Sequence, residues 1–150
     1  MIKSISAQDL NSWLELRQQL WGHCSTEQHL SEMRQLLDQP ERFQQWMSTN
    51  DRGIADGFLE GSVRTEYVNG TQSSPVGYLE GIFVTKVARR CGIAKLLVDE
   101  ALGWFSLMGC EEVASDTEID NEVSQVVHKS LGFEETERVV YFRKRLAKNN

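Results

Sequence analysis

The sequence has few cysteines, and their placement limits the classes of protein it can encode. Three of its 150 residues are cysteines, at Cys24, Cys91 and Cys110. An odd number without metal-ligand spacing predicts reduced thiols, as in a cytosol, and no metal site. A small fold held together by disulfides is therefore not expected.

Long apolar runs are missing as well. No stretch approaches the length of a membrane span, so we expect no membrane-embedded segment. The N-terminus, Met1–Ser6, has no apolar core of the signal-peptide kind. These two absences, with the cysteines, predict a cytoplasmic protein.

Positive charge is in deficit. The chain has 16 Lys and Arg against 22 Asp and Glu, a net charge of −6. This balance disfavours nucleic acid, whose binding depends on basic residues that neutralise phosphates. It would suit a cationic partner, although a moderate charge also simply keeps a protein soluble. Length and composition are those of one domain over residues 1–150.

Apolar periodicity and turn residues predict alternating helices and strands. Helices are predicted over Gln8–Leu20, Glu27–Leu37, Glu41–Met47, Ile93–Met108 and Glu122–Leu131. Strands are predicted over Ile2–Ser6, Gly53–Arg64 with Tyr67–Val68 as an extension, Tyr78–Val84, Glu112–Ser115 and Phe133–Arg145. This order predicts an α/β fold with a mixed sheet and helices on both faces.

One predicted strand is followed by a short basic loop and a long helix. Arg89-x-x-Gly92-x-Ala94 would place backbone N–H groups and a helix N-terminus beside two arginines, as at phosphate sites. A solvated arginine loop is the alternative. The pattern resembles the acyl-CoA loop of the GCN5-related N-acetyltransferase superfamily. The resemblance implies that acetyl-CoA contacts Ile82, Phe83, Val84, Arg89, Arg90, Cys91, Gly92, Ile93, Ala94 and Asn121.

A second segment, His128–Phe133, resembles the superfamily's "helix, Leu-Gly-Phe, strand" signature. Together the two signatures imply its single-domain fold, with a mixed and mostly antiparallel sheet. Many members have a tyrosine at the position of His128, as general acid for the leaving thiolate. The proton donor is left open between His128, Tyr141 and water.

Further stretches are similar to the aminoglycoside 6'-N-acetyltransferases of the superfamily. They include Arg64-x-x-Tyr67-Val68-Asn69-Gly70, Leu79–Val84 and Gly132–Val139. The resemblance implies acetyl transfer from acetyl-CoA to the 6'-amine of aminoglycosides, resistance to those antibiotics, and a homodimer. It also implies a cationic sugar site lined by Trp21, His23, Tyr67, Glu80, Asp116 and Glu137.

The two carboxylates proposed as catalytic also stand out as residues. Glu80 is ionisable within an apolar strand, which is costly unless it faces a wet cleft or a partner; Arg64 is the alternative partner. Asp116 follows a strand, where ligands of open α/β sheets bind, although a turn or cap residue would look the same. Trp21 fits a core position as well as a site.

The expected reaction is direct attack of the amine in a ternary complex, with Glu80 or Asp116 as the base. A backbone N–H at the end of the Ile82–Val84 stretch would stabilise the oxyanion. Cys91 is not expected to form an acetyl-enzyme. Transfer to another polyamine or a protein amine, and a non-catalytic acetyl-CoA-binding module, are the alternatives.

Overall fold

A computed structural model describes residues 1–148 of the chain. The chain folds into two compact units, of which the first ends at Asp116. The first unit has these elements: β1 (Ile2–Ser4), α1 (Leu10–Leu20), α2 (Thr26–Leu37), β2 (Phe43–Thr49), β3 (Ala55–Arg64), β4 (Val76–Val84), α3 (Ile93–Leu107) and β5 (Glu112–Ser115). The second unit contains α4 (Glu122–Ser130). One domain over residues 1–150 stays a prediction from length and composition.

The first unit is organised around a five-stranded sheet in the order β1-β2-β3-β4-β5. Neighbouring strands are antiparallel except β4 and β5, which run parallel from Val76↔Glu112 to Leu79↔Ser115. The prediction of a mixed, mostly antiparallel sheet is therefore confirmed. The parallel pair is linked through α3, because parallel neighbours need a long crossover.

A bulge in β4 decides which side chains face which helix. Gly81 pairs with Glu60 and Leu79 with Gly61, so Glu80 is an extra residue. Gly77 and Gly81 would face the same side of a regular strand, but a bulge changes this. A Cβ on Gly77 would lie within 2.5 Å of the Phe105 ring of α3, whereas one on Gly81 would meet the ring of Trp21, which follows α1. The sheet is thus covered on both faces.

The helix predicted over Glu41–Met47 is wrong, because this segment forms β2. Its residues Trp46 and Met47 are buried and pair with Leu59 and Phe58 of β3. A short apolar run fits a buried strand as well as a helix, and the neighbouring strand decides between them. The predicted extension at Tyr67–Val68 is also wrong, since β3 ends at Arg64.

The final strand predicted over Phe133–Arg145 is absent from the described residues of this chain. Its apolar side chains are exposed, among them Val140, Tyr141 and Phe142. Their β-propensity led to the prediction, but a strand forms only against a neighbouring strand that accepts and donates its hydrogen bonds. Residues 133–148 have no such neighbour in this single chain.

Candidate active site

The parallel strands β4 and β5 separate halfway along β4. Their pairing ends at Leu79↔Ser115, while β4 continues to Val84 against β3. Within the described residues, the segment Gly81–Val84 therefore has a strand on one side only. Backbone groups on the open side are available to a ligand, as along any sheet edge. We refer to this opening between β4 and β5 as the fork.

Both predicted catalytic carboxylates lie at the start of the fork. Because Leu79 and Ser115 are paired, the residues that follow them, Glu80 and Asp116, come at the same level along the two strands. Bulges commonly redirect side chains next to active sites, and Glu80 is the bulged residue. The structure therefore brings Glu80 and Asp116 to one place, although 36 positions separate them in the sequence.

Glu80 is bound by two polar side chains of β3. Its Oε1 accepts hydrogen bonds from Ser62 Oγ at 2.6 Å and from Arg64 Nη2 at 2.7 Å and Nε at 3.2 Å. Its Oε2 accepts from Arg64 Nη2 at 2.9 Å. The ion pair with Arg64, the alternative interpretation from the sequence, is thus present. Its partners are 33% and 39% exposed, so the pair faces solvent.

Asp116 is joined to the same group through Tyr78. The Tyr78 hydroxyl donates a hydrogen bond to Asp116 Oδ2, and the guanidinium carbon of Arg64 lies 3.6 Å from the Tyr78 ring centroid. Burial, followed by the bond to Asp116, raises the pKa of Tyr78, so the phenol stays protonated as a donor. Arg64 and Tyr78, which we call the bridge, connect Glu80 to Asp116.

Trp21 lies directly beside Glu80. Its ring fills the space over Gly81, where an added Cβ would come within 2.5 Å. The ring also makes an edge contact with Phe58 at 5.9 Å and stacks under Arg17 at 4.9 Å. Trp21 therefore packs on the core and borders the predicted site, so neither interpretation of its sequence position excludes the other.

A buried polar network lies beneath Trp21. Arg17 Nη1 donates to both carboxylate oxygens of Glu60 at 2.8 Å, and Trp13 Nε1 donates to Glu60 at 2.9 Å. Burial outweighs these contacts and raises the pKa of Glu60 to about 7. Arg17 Nε also donates to His29 Nδ1 at 3.2 Å. His29 Nε2 therefore carries the proton and donates to the Trp21 carbonyl at 3.1 Å.

A cavity of about 420 Å³ opens beside Glu80. Its walls include Arg17 and Glu32, which are paired with each other, and Arg42. The cavity therefore extends from Glu80, which is paired with Arg64, to Arg17 at the edge of the buried network. Its volume is that of a small-molecule site.

The predicted strand-loop-helix is confirmed as a structure. Gly92 is the N-cap of α3 with a φ of +78°, a conformation that favours glycine, and Arg90 has a φ of +65°. Arg89 Nε donates to the Val84 carbonyl at 3.0 Å and so fastens the loop to the end of β4. The amides of the first turn of α3 have no carbonyl partner inside the helix, which makes them donors for a phosphate. Cys91 is exposed.

The predicted site residues His23 and Tyr67 are not part of the hydrogen-bonded group around Glu80 and Asp116. His23 and Tyr67 are exposed, Tyr67 to 76%. Glu112 of β5 accepts hydrogen bonds from the loop at Gln72 and Ser73, and the Ser73 hydroxyl lowers the pKa of Glu112. That acid therefore has a structural role.

The second unit carries the remaining predicted residues. Asn121, which the resemblance places at acetyl-CoA, caps α4 by accepting from Ser124 N at 3.0 Å. His128 packs edge-on against Phe133 at 5.6 Å, and its Nδ1 donates to the Ser124 carbonyl at 2.7 Å. Glu137 is exposed.

Sequence reasoning missed Arg17, Glu60 and Tyr78. Glu60 carries the same signal as Glu80, since it is an acid within the apolar run Phe58-Leu59-Glu60. Arg17 lies four residues from both Trp13 and Trp21, on one helical face, which identifies it as inward-facing. Tyr78 gave no such signal, because a tyrosine in a strand usually only packs.

Among residues 1–148, no group of three or more His, Cys, Asp or Glu side chains is arranged so that it could hold a metal ion.

The forked sheet, the glycine-capped helix after it and the paired carboxylates are the features of an acyl-CoA-dependent acyltransferase. The family model "Acetyltransferase (GNAT) family" matches residues 10–133, which run through both units, and the chain belongs to this family.

Curated relatives match along nearly the whole chain. The "Aminoglycoside N(6')-acetyltransferase type 1" of Acinetobacter haemolyticus is 48% identical over 97% of this chain and 98% of the relative. The protein of the same name from Salmonella typhimurium is 44% identical over 96% and 98%.

Two solved structures are similar at a TM-score of 0.92 each. One is the aminoglycoside antibiotic 6'-N-acetyltransferase AAC(6')-IG from Acinetobacter haemolyticus, at 47% identity over 98% of this chain and 99% of the other. The second is AAC(6')-Iy in complex with the bisubstrate analogue CoA-S-monomethyl-acetylneamine, at 43% identity over 97% and 98%. The predicted family fold is therefore confirmed.

Proposed function

We propose that this chain transfers the acetyl group of acetyl-CoA to the 6'-amino group of aminoglycoside antibiotics and so confers resistance. The full-length identity to enzymes named for this reaction supports the proposal, as does the relative bound to a CoA–acetylneamine analogue. The structural observation that carries it is the pair Glu80 and Asp116 at the start of an open strand edge. A polyamine sugar needs carboxylates there, and a thioester needs free backbone amides.

The amine must lose a proton before it attacks. An alkyl ammonium with the pKa of lysine is neutral only about one part in a thousand near pH 7, a gap of roughly 4–5 kcal/mol. The neutral nitrogen then forms a bond to the thioester carbon, and the C–S bond breaks to release CoA. A carboxylate that binds the ammonium and accepts its proton serves both needs.

Asp116 is the better placed of the two carboxylates to be the base. Glu80 is neutralised by Arg64, whose guanidinium contacts both of its oxygens. Asp116 accepts a neutral phenol hydrogen bond on Oδ2 and is exposed. Glu80 would then bind the sugar at Oε2, with Trp21 beside it as an apolar surface for a sugar ring.

Acetyl-CoA would bind along the fork and the start of α3. Amides of the open side of Ile82–Val84 would hold the thioester carbonyl and stabilise the oxyanion that forms on attack. Gly92 and the first turn of α3 would hold the pyrophosphate, with Arg90 near it. The chemistry needs no cysteine, so Cys91 would remain unmodified during turnover.

We infer further that the protein is a cytoplasmic homodimer without nucleic-acid or membrane partners. The cysteines Cys24, Cys91 and Cys110 are unpaired, as in a reducing compartment. The net charge of −6 disfavours nucleic acid. Apolar residues around Tyr141 and Phe142 are exposed to 88% and 92%, which a second copy of the chain would cover. Among the described residues, no helix has the length and apolarity to cross a bilayer.

A thiol-release assay with two acceptors tests the proposed activity. Neamine carries the 6'-amine, and its 6'-hydroxy counterpart differs at that group alone. We expect CoA release with neamine only. Release with neither acceptor, while acetyl-CoA still binds, would contradict the reaction and favour a binding module. Equal release with both would place the acetyl group on another amine.

Variants of the two carboxylates test the site. Asp116→Asn should lower kcat with neamine by about 10²–10⁴-fold, because it removes the general base. Glu80→Gln should raise the KM for neamine more than it lowers kcat. Acetyl-CoA binding should be unchanged in both variants. Wild-type kinetics in both would show that the site lies elsewhere.

A further inference from the structure

We propose that the bridge residues Arg64 and Tyr78 act as one positioning unit for acetyl transfer, holding Glu80 and Asp116 in a fixed relation at the fork. The inference rests on the proposed function, since the reaction gives the two carboxylates their roles. Neither bridge residue needs to touch the substrate. Each acts through the carboxylate it binds.

Arg64 controls which oxygen of Glu80 is left for an ammonium. Glu80 Oε1 receives three donors, two from Arg64 and one from Ser62, which exceeds its two lone pairs. Glu80 Oε2 receives a single donor from Arg64. One lone pair on Oε2 thus remains, and the planar guanidinium fixes its direction. Lysine in place of Arg64 would keep the charge but lose this orientation.

Tyr78 does the same for Asp116. The phenol is buried, 7% exposed, and its hydroxyl donates to Asp116 Oδ2. Asp116 itself is exposed at the end of β5, with no other hydrogen-bond donor among the contacts of residues 1–148. Without the Tyr78 hydroxyl, no hydrogen bond would fix the orientation of the Asp116 carboxylate. With the hydroxyl bound to Oδ2, the other oxygen, Oδ1, is held in one orientation in which it can accept the proton.

The two halves are mechanically connected. The guanidinium carbon of Arg64 lies over the Tyr78 ring, 3.6 Å from its centroid. A shift of either side chain therefore moves the other. The charges are also arranged as a unit, because Arg64 balances Glu80 and leaves Asp116 as the uncompensated charge. Asp116 therefore attracts the reacting ammonium, while the remaining lone pair of Glu80 Oε2 accepts a hydrogen bond from another group of the acceptor.

Kinetics of four variants with neamine and acetyl-CoA test the unit: Arg64→Lys, Arg64→Gln, Tyr78→Phe and the double variant Arg64→Gln/Tyr78→Phe. Arg52→Gln is the matched control. It removes the same charge from the exposed turn between β2 and β3, at the opposite end of β3 from Arg64. Thermal unfolding is measured for each protein.

We expect Tyr78→Phe and Arg64→Gln each to lower kcat/KM for neamine roughly tenfold, the value of one hydrogen bond to a charged group. Each variant should both lower kcat and raise the neamine KM, because a shift of either bridge residue displaces the other and with it both carboxylates. Arg64→Lys should restore only part of the loss. The double variant should lose little more than the worse single variant, since the two residues act together. The acetyl-CoA KM should stay at the wild-type value throughout.

The outcomes separate this inference from the proposed function. An inactive wild-type protein would refute the function itself. An active wild type with unchanged variants would refute the bridge alone. Single effects that multiply in the double variant would show two independent residues and also refute the unit. A rise in the acetyl-CoA KM together with a lower unfolding temperature would show that the bridge merely supports the fold.

Discussion

Two arginine–glutamate pairs have their acids on neighbouring strands of the sheet and differ mainly in their access to water. Arg17 and Glu60 are 2% and 4% exposed. Arg64 and Glu80 have side chains exposed to 39% and 33%. Glu60 pairs in register with Gly81, the residue after Glu80, so the acids lie on adjacent strands. Similar chemistry is therefore present once inside the core and once at the surface of the fork.

The difference in burial assigns different roles to the two pairs. The inner pair is expensive to desolvate, and its Arg17 contacts Trp13, His29 and Trp21 as well as Glu60. Its effect is to fix these side chains in one arrangement. The outer pair contributes little to stability but remains open to a ligand. We therefore expect the inner pair to shape the proposed site and the outer pair to take part in binding the acceptor.

Removal of one partner from the inner pair should have the largest effect. Arg17→Ala leaves Glu60 buried without a counter-charge, and we expect a loss of about 3–5 kcal/mol in the free energy of unfolding. Urea unfolding measures it. Arg52→Ala, at an exposed turn, is the control and should change stability by less than about 0.5 kcal/mol. Equal free energies of unfolding in the two variants would mean that the inner pair does not contribute to the stability of the fold.

The inner pair also shows what the sequence could and could not reveal. Helical spacing predicted α1 and α2 to within two residues at either end, because the apolar positions recur on one face. The same spacing places Arg17 between two tryptophans. Its partner Glu60 is 43 residues away, and no local pattern identifies such a pair.

The fork was beyond prediction for a related reason. The strand at Glu112–Ser115 was predicted correctly, and so was the glycine-capped helix before it. The point at which β4 and β5 separate depends on the register Leu79↔Ser115 and on the bulge at Glu80. Both arise from pairing between distant segments. The final strand failed for the opposite reason, since its local propensity was strong and its neighbour was missing.

Gly81→Ala should disturb both pairs through Trp21. The new Cβ would lie 2.5 Å from the Trp21 ring, which is also held by Arg17 and Phe58. We expect a loss of about 1–3 kcal/mol in stability from overpacking, together with a higher KM for neamine. Gly103→Ala is the matched control, because its Cβ meets nothing within 4 Å on α3. That control should be neutral or slightly stabilising.

The titration of Glu60 should appear in the pH dependence of stability. Burial raises its pKa to about 7 in the folded state, from 4.5. Between these values the folded state binds more protons than the unfolded state, so the stability from this group is present at low pH and is lost as pH rises toward and through 7. From pH 5.5 to 8, wild type should lose on the order of 1–2 kcal/mol more than Glu60→Gln. Parallel curves for both proteins would show that Glu60 does not titrate in this range.

The smallest effect on stability should come from the outer pair, and it gives the sharpest contrast. Arg64→Gln and Glu80→Gln should each cost less than about 1 kcal/mol, because the pair is partly exposed and screened by salt. In urea unfolding at low and at high ionic strength, the difference from wild type should shrink with added salt. A loss as large as that of Arg17→Ala would make the outer pair a second structural pair. A small loss in stability beside a roughly tenfold loss in kcat/KM would instead mean that the surface position is what frees Arg64 and Glu80 for function.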